Sequence, residues 1–169
     1  MQRIVIMGVA GCGKSSVGAE VSKQTGIAYT DGDDLHPPEN IAKMSAGTPL
    51  NDDDRAPWLA RVGQSLQAAP SDLMIGCSAL KRSYRDIIRK KAKSPVHFIH
   101  LAAPIEVIRA RMSDRTGHFM PPALLDSQFA TLEPLQQDEE GTVIDIAHPF
   151  TSVVFSCIAA LKADSTSSC

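Results

Sequence analysis

"RIVIMGVAGCGKS", residues 3–15, joins a short β-rich apolar run to a helix that begins near Lys14 and should end at Gly26. Between the two lies Gly8–Ser15, which matches the pattern G-x-x-x-x-G-K-[ST] in full. Average residue frequencies give a chance match on the order of 1% for a chain of this length. Because a strand precedes it and a helix follows, the stretch predicts a phosphate-binding loop (P-loop). A glycine-rich turn with no chemical role is the alternative.

Each residue type in this loop suits a nucleotide. Glycines let backbone N–H groups turn inward around phosphates, and the N-terminus of the next helix adds positive charge. Lys14 is predicted to reach the β- and γ-phosphates as a catalytic residue, and the Ser15 hydroxyl to bind Mg²⁺. ATP and Mg²⁺ are therefore the expected cofactors. The predicted nucleotide-binding residues of the loop are Gly8, Val9, Ala10, Gly11, Cys12, Gly13, Lys14, Ser15 and Ser16.

Apolar runs alternate with helical patterns along the rest of the chain. Strands that are apolar along their length and alternate with helices indicate a parallel sheet covered on both faces, with right-handed crossovers. The prediction is a single α/β domain over residues 1–169 with a five-stranded parallel sheet, in which the second strand runs beside the first. Further strands are predicted within 27–33, 73–79, 96–102 and 141–147, and helices over 81–92, 104–112 and 150–163.

The composition excludes several classes of protein. The chain has 169 residues, 43% of them hydrophobic and 21% charged, as in an ordinary globular protein. No apolar run approaches the roughly 20 residues of a membrane span, and the net charge of -2 gives no reason to expect a nucleic acid partner. The glycine-broken N-terminal run does not resemble a secretory signal. The four cysteines have no C-x-x-C spacing, which indicates reduced thiols in a cytoplasmic protein.

A P-loop indicates a nucleotide but not a reaction. The N-K-x-D motif by which a switch GTPase selects its base does not occur in the sequence. Motor and transport ATPases normally carry an aspartate at the end of an apolar strand, whereas the third predicted strand ends in "GCSALKR". These features favour a small-molecule kinase in which the acidic residues follow the second strand.

Three aspartates cluster at the end of that second strand, in "YTDGDDLHPP", residues 29–38. The carboxyl ends of parallel strands meet at one edge of a sheet, so these carboxylates should lie near the phosphates. Carboxylates and a triphosphate are both negatively charged, so we expect a cation to lie between them. Asp31 is predicted to bind Mg²⁺ through water, and Asp33 to orient the acceptor hydroxyl as a catalytic residue. An acidic turn of Asx type is the alternative, and Asp34 is expected to be solvated.

Longer segments of the chain resemble the gluconate kinases (gluconokinases). The matching stretches follow the family's order: "GVAGCGKS", "DGDDLHPPENIAKMSAGTPLNDDDRAPWL" (31–59), "CSALKRSYRD" (77–86) and "GHFMPPALLDSQFATLE" (117–133). The resemblance implies ATP-dependent phosphorylation of D-gluconate at the 6-hydroxyl. It also implies a homodimer and a three-layer P-loop kinase fold like that of nucleoside monophosphate and shikimate kinases. A kinase for another small hydroxy acid such as shikimate is the alternative, and a non-catalytic nucleotide-binding regulator is an alternative of a different class.

Gluconate is a monoanion with a row of hydroxyls, so its pocket needs a forked cation and several hydrogen-bonding groups. Arg55 is predicted to bind the carboxylate, because a guanidinium can do so through two bonds. A surface pair with Asp52 or Asp54 is the alternative for Arg55; those aspartates are themselves predicted to cap a helix. His36 is predicted to bond a sugar hydroxyl, with a purely structural role as the alternative.

The last predicted site residues lie farther along the chain. Lys81 or Arg82 is expected to help hold the anion, and Gln128 is a polyol contact on the resemblance alone. Residues around 111–122 are predicted to form a mobile lid that excludes water from the reaction. On this segment Arg115 is predicted to act on the transferred phosphate as a catalytic residue. Arg111 is predicted to stack near adenine, Arg109 is expected to be structural, and a solvated basic helix is the alternative.

Overall fold

A parallel β-sheet forms the centre of the molecule. The computed structural model describes residues 1–114 and 122–167, and within them five strands pair in the order β2-β3-β1-β4-β5. Every pairing is parallel. The predicted α/β fold with a five-stranded parallel sheet is thus confirmed. The strands are β1 (Arg3–Met7), β2 (Ala28–Asp31), β3 (Leu73–Gly76), β4 (His97–Ala102) and β5 (Gly141–Asp145).

The strand order corrects one prediction, because β2 does not run beside β1. Ile6 of β1 pairs with Gly76 of β3, and Gly76 pairs in turn with Asp31 of β2, so β3 lies between them. The reason is the packing of the first crossover. Helix α1 (Lys14–Thr25) packs on both β3 and β2, so the chain passes over one strand position before β2 begins. The N-terminus of α1 therefore lies between the glycine-rich loop and the end of β2.

Helices cover both faces of the sheet and complete three layers. On one face Val17 of α1 shares an apolar core with Val153, and on the other face Leu59 shares a second core with Ile88. None of the helices in the described ranges is both long and apolar enough to cross a membrane. Gly32–Leu35 forms a short 3₁₀ turn. The other helices are α2 (Pro38–Ser45), α3 (Asp52–Ala68), α4 (Arg82–Ala92), α5 (Ile105–Ser113), α6 (Pro122–Thr131) and α7 (Phe150–Ser167).

A buried ion pair joins α4 to the segment that precedes β5. The side chains of Arg85 and Glu139 are 0% and 1% exposed, and Arg85 Nε and Nη2 donate to the two carboxylate oxygens at 2.7 and 2.8 Å. Arg85 Nη1 also donates to the carbonyl oxygens of Ala79 and Leu80, at 3.0 and 3.2 Å. Ala79 has a φ of 44°, a conformation that is costly for a residue with a side chain. The guanidinium therefore stabilises a strained loop that follows β3.

Glu139→Gln is expected to lower the free energy of unfolding by about 3–5 kcal/mol, because it leaves a buried guanidinium without its charge partner. Burial alone would raise the pKa of Glu139, but hydrogen bonds from Arg85, Arg89 and the Gln136 amide outweigh burial and lower it to about 2. The carboxylate thus stabilises the fold fully above its ordinary pKa of 4.5, and this contribution is lost as the pH falls toward about 2.

Urea unfolding, followed by the fluorescence of the single tryptophan, measures both effects when it is run at neutral pH and in acid. The difference between the wild type and the variant should shrink in acid. Glu140→Gln is the matched control, because Glu140 is the next residue and is exposed. It should change the unfolding free energy by less than about 0.5 kcal/mol. Equal losses in the two variants would contradict the role of the buried pair.

Candidate active site

The loop between β1 and α1 has a backbone that only glycine adopts easily. Gly8, Gly11 and Gly13 have φ values of 147°, 79° and 94°, in the region that favours glycine. A Cβ at Gly8 would lie 2.7 Å from Cys12 Sγ, and a Cβ at Gly11 would lie 2.7 Å from Met112 Sδ. Side chains have no room at either position, so the loop presents its main chain to the adjoining cleft.

Lys14 lies against this loop. Its Nζ donates to the carbonyl oxygens of Gly8 and Val9 at 3.0 and 3.1 Å. The Sγ of Cys12 is 4.0 Å from the same ammonium, but Cys12 is buried, and burial raises the pKa of the thiol despite the nearby charge. The thiol stays protonated inside the protein, whereas the ammonium borders the cleft.

A cleft of about 510 Å³ opens between the loop and the end of β2, and Lys14, Ser15, Asp31 and Asp33 all line it. Ser15 Oγ donates to Asp31 Oδ2 at 3.0 Å. This bond joins the first turn of α1 to the end of β2 although β3 separates β2 from β1. Lys14, predicted on the phosphate side, and Asp33, predicted on the acceptor side, therefore share one cleft. Three other residues predicted to bind the acceptor are not among the described residues that line it: His36, Arg55 and Lys81.

The turn after β2 places Asp33 in that cleft. Asp31 Oδ1 accepts a hydrogen bond from the Asp33 amide at 3.0 Å and so caps the 3₁₀ turn. Gly32 fits between the two aspartates because a Cβ there would collide with the carbonyl oxygen of Gly76. The Asp33 side chain is 83% exposed. Even so, desolvation by the cleft walls and then repulsion from Asp31 raise the pKa of Asp33.

His36 lies beside Asp33 on a rigid support. Its ring stacks on Trp58, with centroids 4.2 Å apart and planes 15° from parallel, and Trp58 Nε1 donates to the Gly32 carbonyl at 2.7 Å. His36 Nε2 lies 3.9 Å from Asp33 Oδ1. Burial lowers the pKa of His36, an effect that Asp33 opposes and Arg55 reinforces. The ring is therefore neutral at neutral pH.

Arg55 and Lys81 converge on the carboxylate of Asp52. Arg55 Nη1 is 3.3 Å from Asp52 Oδ1, and Lys81 Nζ is 2.9 Å from Oδ2. The Tyr84 hydroxyl donates to the same carboxylate, and its ring lies 5.8 Å from Arg55 Cζ and 5.4 Å from Lys81 Nζ. Hydrogen bonds from Tyr84 and Lys81 lower the pKa of Asp52. Two cations around one carboxylate leave a net positive charge that suits an organic anion.

Arg82 is held away from this cationic cluster. Its Nη1 and Nη2 donate to the two carboxylate oxygens of Asp138 at 2.8 and 2.7 Å, and Nη1 donates to Gln136 Oε1 at 2.6 Å. Of the two cations that follow β3, Lys81 is the one that Asp52 links to Arg55.

Gln128 of α6 lies on the P-loop. Its Oε1 accepts a hydrogen bond from the Ala10 amide at 2.6 Å, and the side chain borders the cleft. The structure thus brings Gln128 to the phosphate side of the cleft. The predicted contact with substrate hydroxyls stays a prediction.

A second cavity, of about 370 Å³, lies on another side of the P-loop. Arg111 Nη2 donates to the carbonyl oxygens of Ile146 and His148, the latter at 3.3 Å, so the guanidinium is attached to the segment after β5. This cavity shares residues of the P-loop as part of its wall, and the predicted stacking of Arg111 near adenine stays a prediction. Its lining includes Gly11, Gly13, Arg111, His148, Pro149 and Phe150.

The predicted lid falls partly outside the described residues. Arg115, predicted to act on the transferred phosphate, is one of residues 115–121, which lie outside them. Arg109 forms an ion pair with Asp126, which joins α5 to α6 at the two ends of the predicted lid. This contact agrees with the structural role expected for Arg109.

Comparisons with known proteins place the chain among small-molecule kinases. The family model for shikimate kinase matches residues 10–148. The thermosensitive gluconokinase of Escherichia coli (strain K12) is 47% identical over 166 residues, which cover 96% of this chain and 88% of that protein. The thermoresistant gluconokinase of the same organism is 44% identical over 162 residues, 94% of this chain and 92% of that protein. The chain belongs to the gluconokinase family.

Solved structures agree with this gluconokinase assignment. A gluconokinase from Sinorhizobium meliloti 1021 superposes with a TM-score of 0.88 at 46% identity, over 96% of this chain and 92% of that one. A shikimate kinase from Aquifex aeolicus superposes with a TM-score of 0.62 at 17% identity, over 97% of this chain and 98% of that one. The second likeness shows the fold alone. Both the predicted family and the predicted kinase fold are confirmed.

Sequence reasoning missed three residues that contact the side chains predicted to bind the acceptor, His36, Arg55 and Lys81. Trp58 supports the His36 ring, Tyr84 contacts both cations of the cluster, and Asn40 Nδ2 lies 3.3 Å from His36 Nδ1. An aromatic residue in a helical stretch most often belongs to an apolar core. The sequence feature that could have identified them is that all three lie inside the long segments that resemble the family.

Proposed function

We propose that this protein transfers the γ-phosphoryl group of ATP to the 6-hydroxyl of D-gluconate, giving 6-phospho-D-gluconate. Membership of the gluconokinase family supports the reaction and the substrate. The observation that carries the proposal is the 3.0 Å hydrogen bond from Ser15 to Asp31. It brings the phosphate loop and the acidic turn into one cleft, where a phosphoryl donor and an acceptor can meet.

The cleft has the groups that ATP and Mg²⁺ require. The amides of the P-loop and the Lys14 ammonium match the oxygens of a nucleotide's phosphates. The Ser15 hydroxyl and the Asp31 carboxylate are oxygen ligands, the type that Mg²⁺ prefers. We infer that Ser15 and Asp31 hold the ion, Asp31 through a water molecule. When bound, the ion neutralises charge on the β- and γ-phosphates.

Asp33 positions the acceptor hydroxyl. Phosphoryl transfer passes through a loose transition state, so orientation of the hydroxyl is most of what the carboxylate must provide. Asp33 accepts a hydrogen bond from the hydroxyl and takes its proton as the new O–P bond forms, while the bond from the γ-phosphorus to the bridging oxygen breaks and ADP leaves with the electron pair. Its exposed side chain leaves both carboxylate oxygens open to a substrate in the cleft.

Arg55 and Lys81 bind the carboxylate of gluconate. A guanidinium can donate two parallel hydrogen bonds to a carboxylate, and an adjacent ammonium adds charge. Asp52 keeps the two cations 3.3 and 2.9 Å from its own oxygens, so they are already gathered before an anion enters. The substrate carboxylate then competes with Asp52 for them.

The remaining site residues act on the nucleotide and on closure of the cleft. Arg111 stacks near the adenine, and Arg115 neutralises charge on the transferred group from the segment 111–122. Closure of that segment excludes water, which would otherwise hydrolyse ATP. Gln128 borders the loop and contacts substrate hydroxyls.

A panel of acceptors tests the substrate. Release of ADP is measured with gluconate, shikimate and other sugar acids, and kcat/KM for gluconate should exceed that for shikimate by at least about 100-fold. Comparable turnover of shikimate would support a kinase for another small hydroxy acid. Binding of ATP without turnover of any acceptor would support a non-catalytic nucleotide-binding regulator.

The resemblance also predicts a homodimer, and the spacing of the cysteines predicts a cytoplasmic protein; both properties stay predictions. In the described part of the chain, Cys12, Cys77 and Cys157 are free and buried. Free thiols are what a reducing compartment maintains.

A further inference from the structure

A buried hydrogen-bonded pair lies behind the acceptor side of the cleft. Asn40, in the first turn of α2, is 4% exposed and His36 is 8% exposed. Asn40 Nδ2 lies 2.9 Å from the carbonyl oxygen of Asp54 and 3.3 Å from His36 Nδ1. One amide group therefore contacts both the first turn of α3 and the imidazole ring.

The Asp54 carbonyl determines which way the Asn40 amide faces. A carbonyl oxygen only accepts hydrogen bonds, so the atom that faces it must belong to the NH₂ group. The second hydrogen of that group is then available to His36 Nδ1, which has to accept it. In a neutral imidazole the accepting nitrogen carries no hydrogen, so the hydrogen is on Nε2.

Charges on the surrounding elements keep the His36 ring neutral. Burial lowers its pKa, Asp33 raises it, and Arg55 of α3 lowers it again. Lys43 of α2 and Asp54 of α3, which pack around Asn40, pair with each other at 2.6 Å and add no net charge. The stacked indole of Trp58 fixes the plane of the ring, so Nε2 keeps its direction toward Asp33.

We propose, on the basis of the function proposed above, that Asn40 is a positioning residue. It keeps His36 in the Nε2–H tautomer so that His36 and Asp33 together hold one hydroxyl of the acceptor substrate. His36 Nε2 and Asp33 Oδ1 are 3.9 Å apart, too far for a direct hydrogen bond. An oxygen roughly 2.8 Å from each atom would bridge them.

The tautomer decides whether such a hydroxyl can be held. With hydrogen on Nε2, the hydroxyl accepts from His36 and donates its single hydrogen to Asp33. With hydrogen on Nδ1, His36 and Asp33 would both be acceptors, and one hydroxyl cannot donate to both. The pair therefore selects a group that donates and accepts at once, which is what an alcohol does.

Nitrogen-15 NMR of the full-length protein, labelled on histidine, reads the tautomer directly. The chain has five histidines, and the His36 signals are identified by their loss in His36→Gln. In the wild type we expect a protonated-type shift at Nε2 and an unprotonated-type shift at Nδ1. In Asn40→Asp the carboxylate can only accept, so Nδ1 should become protonated. In Asn40→Ala neither nitrogen has the amide as partner, and the two tautomers should mix.

Steady-state kinetics connect the tautomer to the substrate. Both Asn40 variants should lose about 10-fold or more in kcat/KM for gluconate, the loss of roughly one good hydrogen bond, while KM for ATP stays unchanged. Lys43→Met is the matched control, because it removes another contact between the same helix and Asp54 without touching His36. It should keep the wild-type tautomer and the wild-type kcat/KM.

The outcomes separate this inference from the proposed function. A protonated Nδ1 in wild-type His36 would overturn the inference, as would an altered tautomer that leaves kcat/KM for gluconate intact. Equal losses in Lys43→Met and the Asn40 variants would point to docking of α2 and would also overturn it. A wild-type protein that does not phosphorylate gluconate would instead contradict the proposed function, and the NMR measurement would still report the tautomer because it needs no turnover.

Discussion

Asp33→Asn is expected to lower kcat for gluconate by about 10²- to 10⁴-fold, the range typical of a lost general base, with ATP affinity unchanged. The amide has the same shape as the carboxylate, but it cannot take the proton of the hydroxyl. The fold should be unaffected, because Asp31 caps the turn through the Asp33 backbone amide at 3.0 Å, which the variant retains. A coupled assay of ADP release gives kcat, and calorimetric titration with an ATP analogue gives the affinity.

Asp34→Asn is the matched control for this experiment. Asp34 is the next residue, carries the same charge and is exposed on the same turn. Its removal changes the local charge equally but removes no group that lines the cleft. We expect its kcat to stay within about 3-fold of wild type, since a solvent-exposed charge that contacts no reacting group contributes little. Similar kcat values in the two variants would count against a specific role for Asp33.

The P-loop and the strands were predictable from the sequence because their determinants are local. Gly8 and Gly11 are required by their own φ values of 147° and 79°, and Gly8 also by Cys12 of the same loop, whose Sγ leaves no space for a Cβ. All residues of β1 are buried, and the apolar run in the sequence predicts this burial without information from other segments. Each of these features is decided within a few positions of the chain, so a pattern of residue types is enough to find it.

The order of strands in the sheet, in contrast, is not determined by residues that are close together in the sequence. The prediction that β2 runs beside β1 was wrong because the order depends on how far α1 carries the chain across the sheet. The position of the site did not depend on that error. Ser15 begins α1 and Asp31 ends β2, so the same crossover that displaces β2 also brings these two side chains within 3.0 Å.

The acceptor side was only partly predictable, because its supports come from distant segments. Tyr84 and Asp52 are 32 positions apart in the chain and meet only when α4 packs on α3. Arg55 was predicted for the chemistry of its guanidinium, which is visible in a sequence. Tyr84, which contacts that guanidinium through its ring and its hydroxyl, has no such signature in a helix where an aromatic residue would equally serve a core.

Arg55→Ala is expected to raise KM for gluconate by about 30- to 5,000-fold, equivalent to about 2–5 kcal/mol, if binding removes the proposed pair of Arg55 and the gluconate carboxylate from water. Arg55 lies 3.3 Å from Asp52, and its removal leaves Lys81 as the cation of the cluster while Asp52 still competes for it. KM for ATP should not change, because the P-loop lies elsewhere in the site. Initial rates at varied gluconate and saturating ATP measure the effect.

Two further variants make the result specific to the guanidinium. Arg55→Lys keeps the charge but loses the planar fork, so its KM should lie between those of the wild type and Arg55→Ala. Arg61→Ala removes an exposed arginine from the same helix and should leave KM for gluconate unchanged. If Arg61→Ala raised KM as much as Arg55→Ala, the effect would come from the general charge of α3. Because Lys81 retains a positive charge in the cluster, a large loss confined to Arg55 would show that gluconate is recognised by the geometry of its carboxylate as well as by its charge.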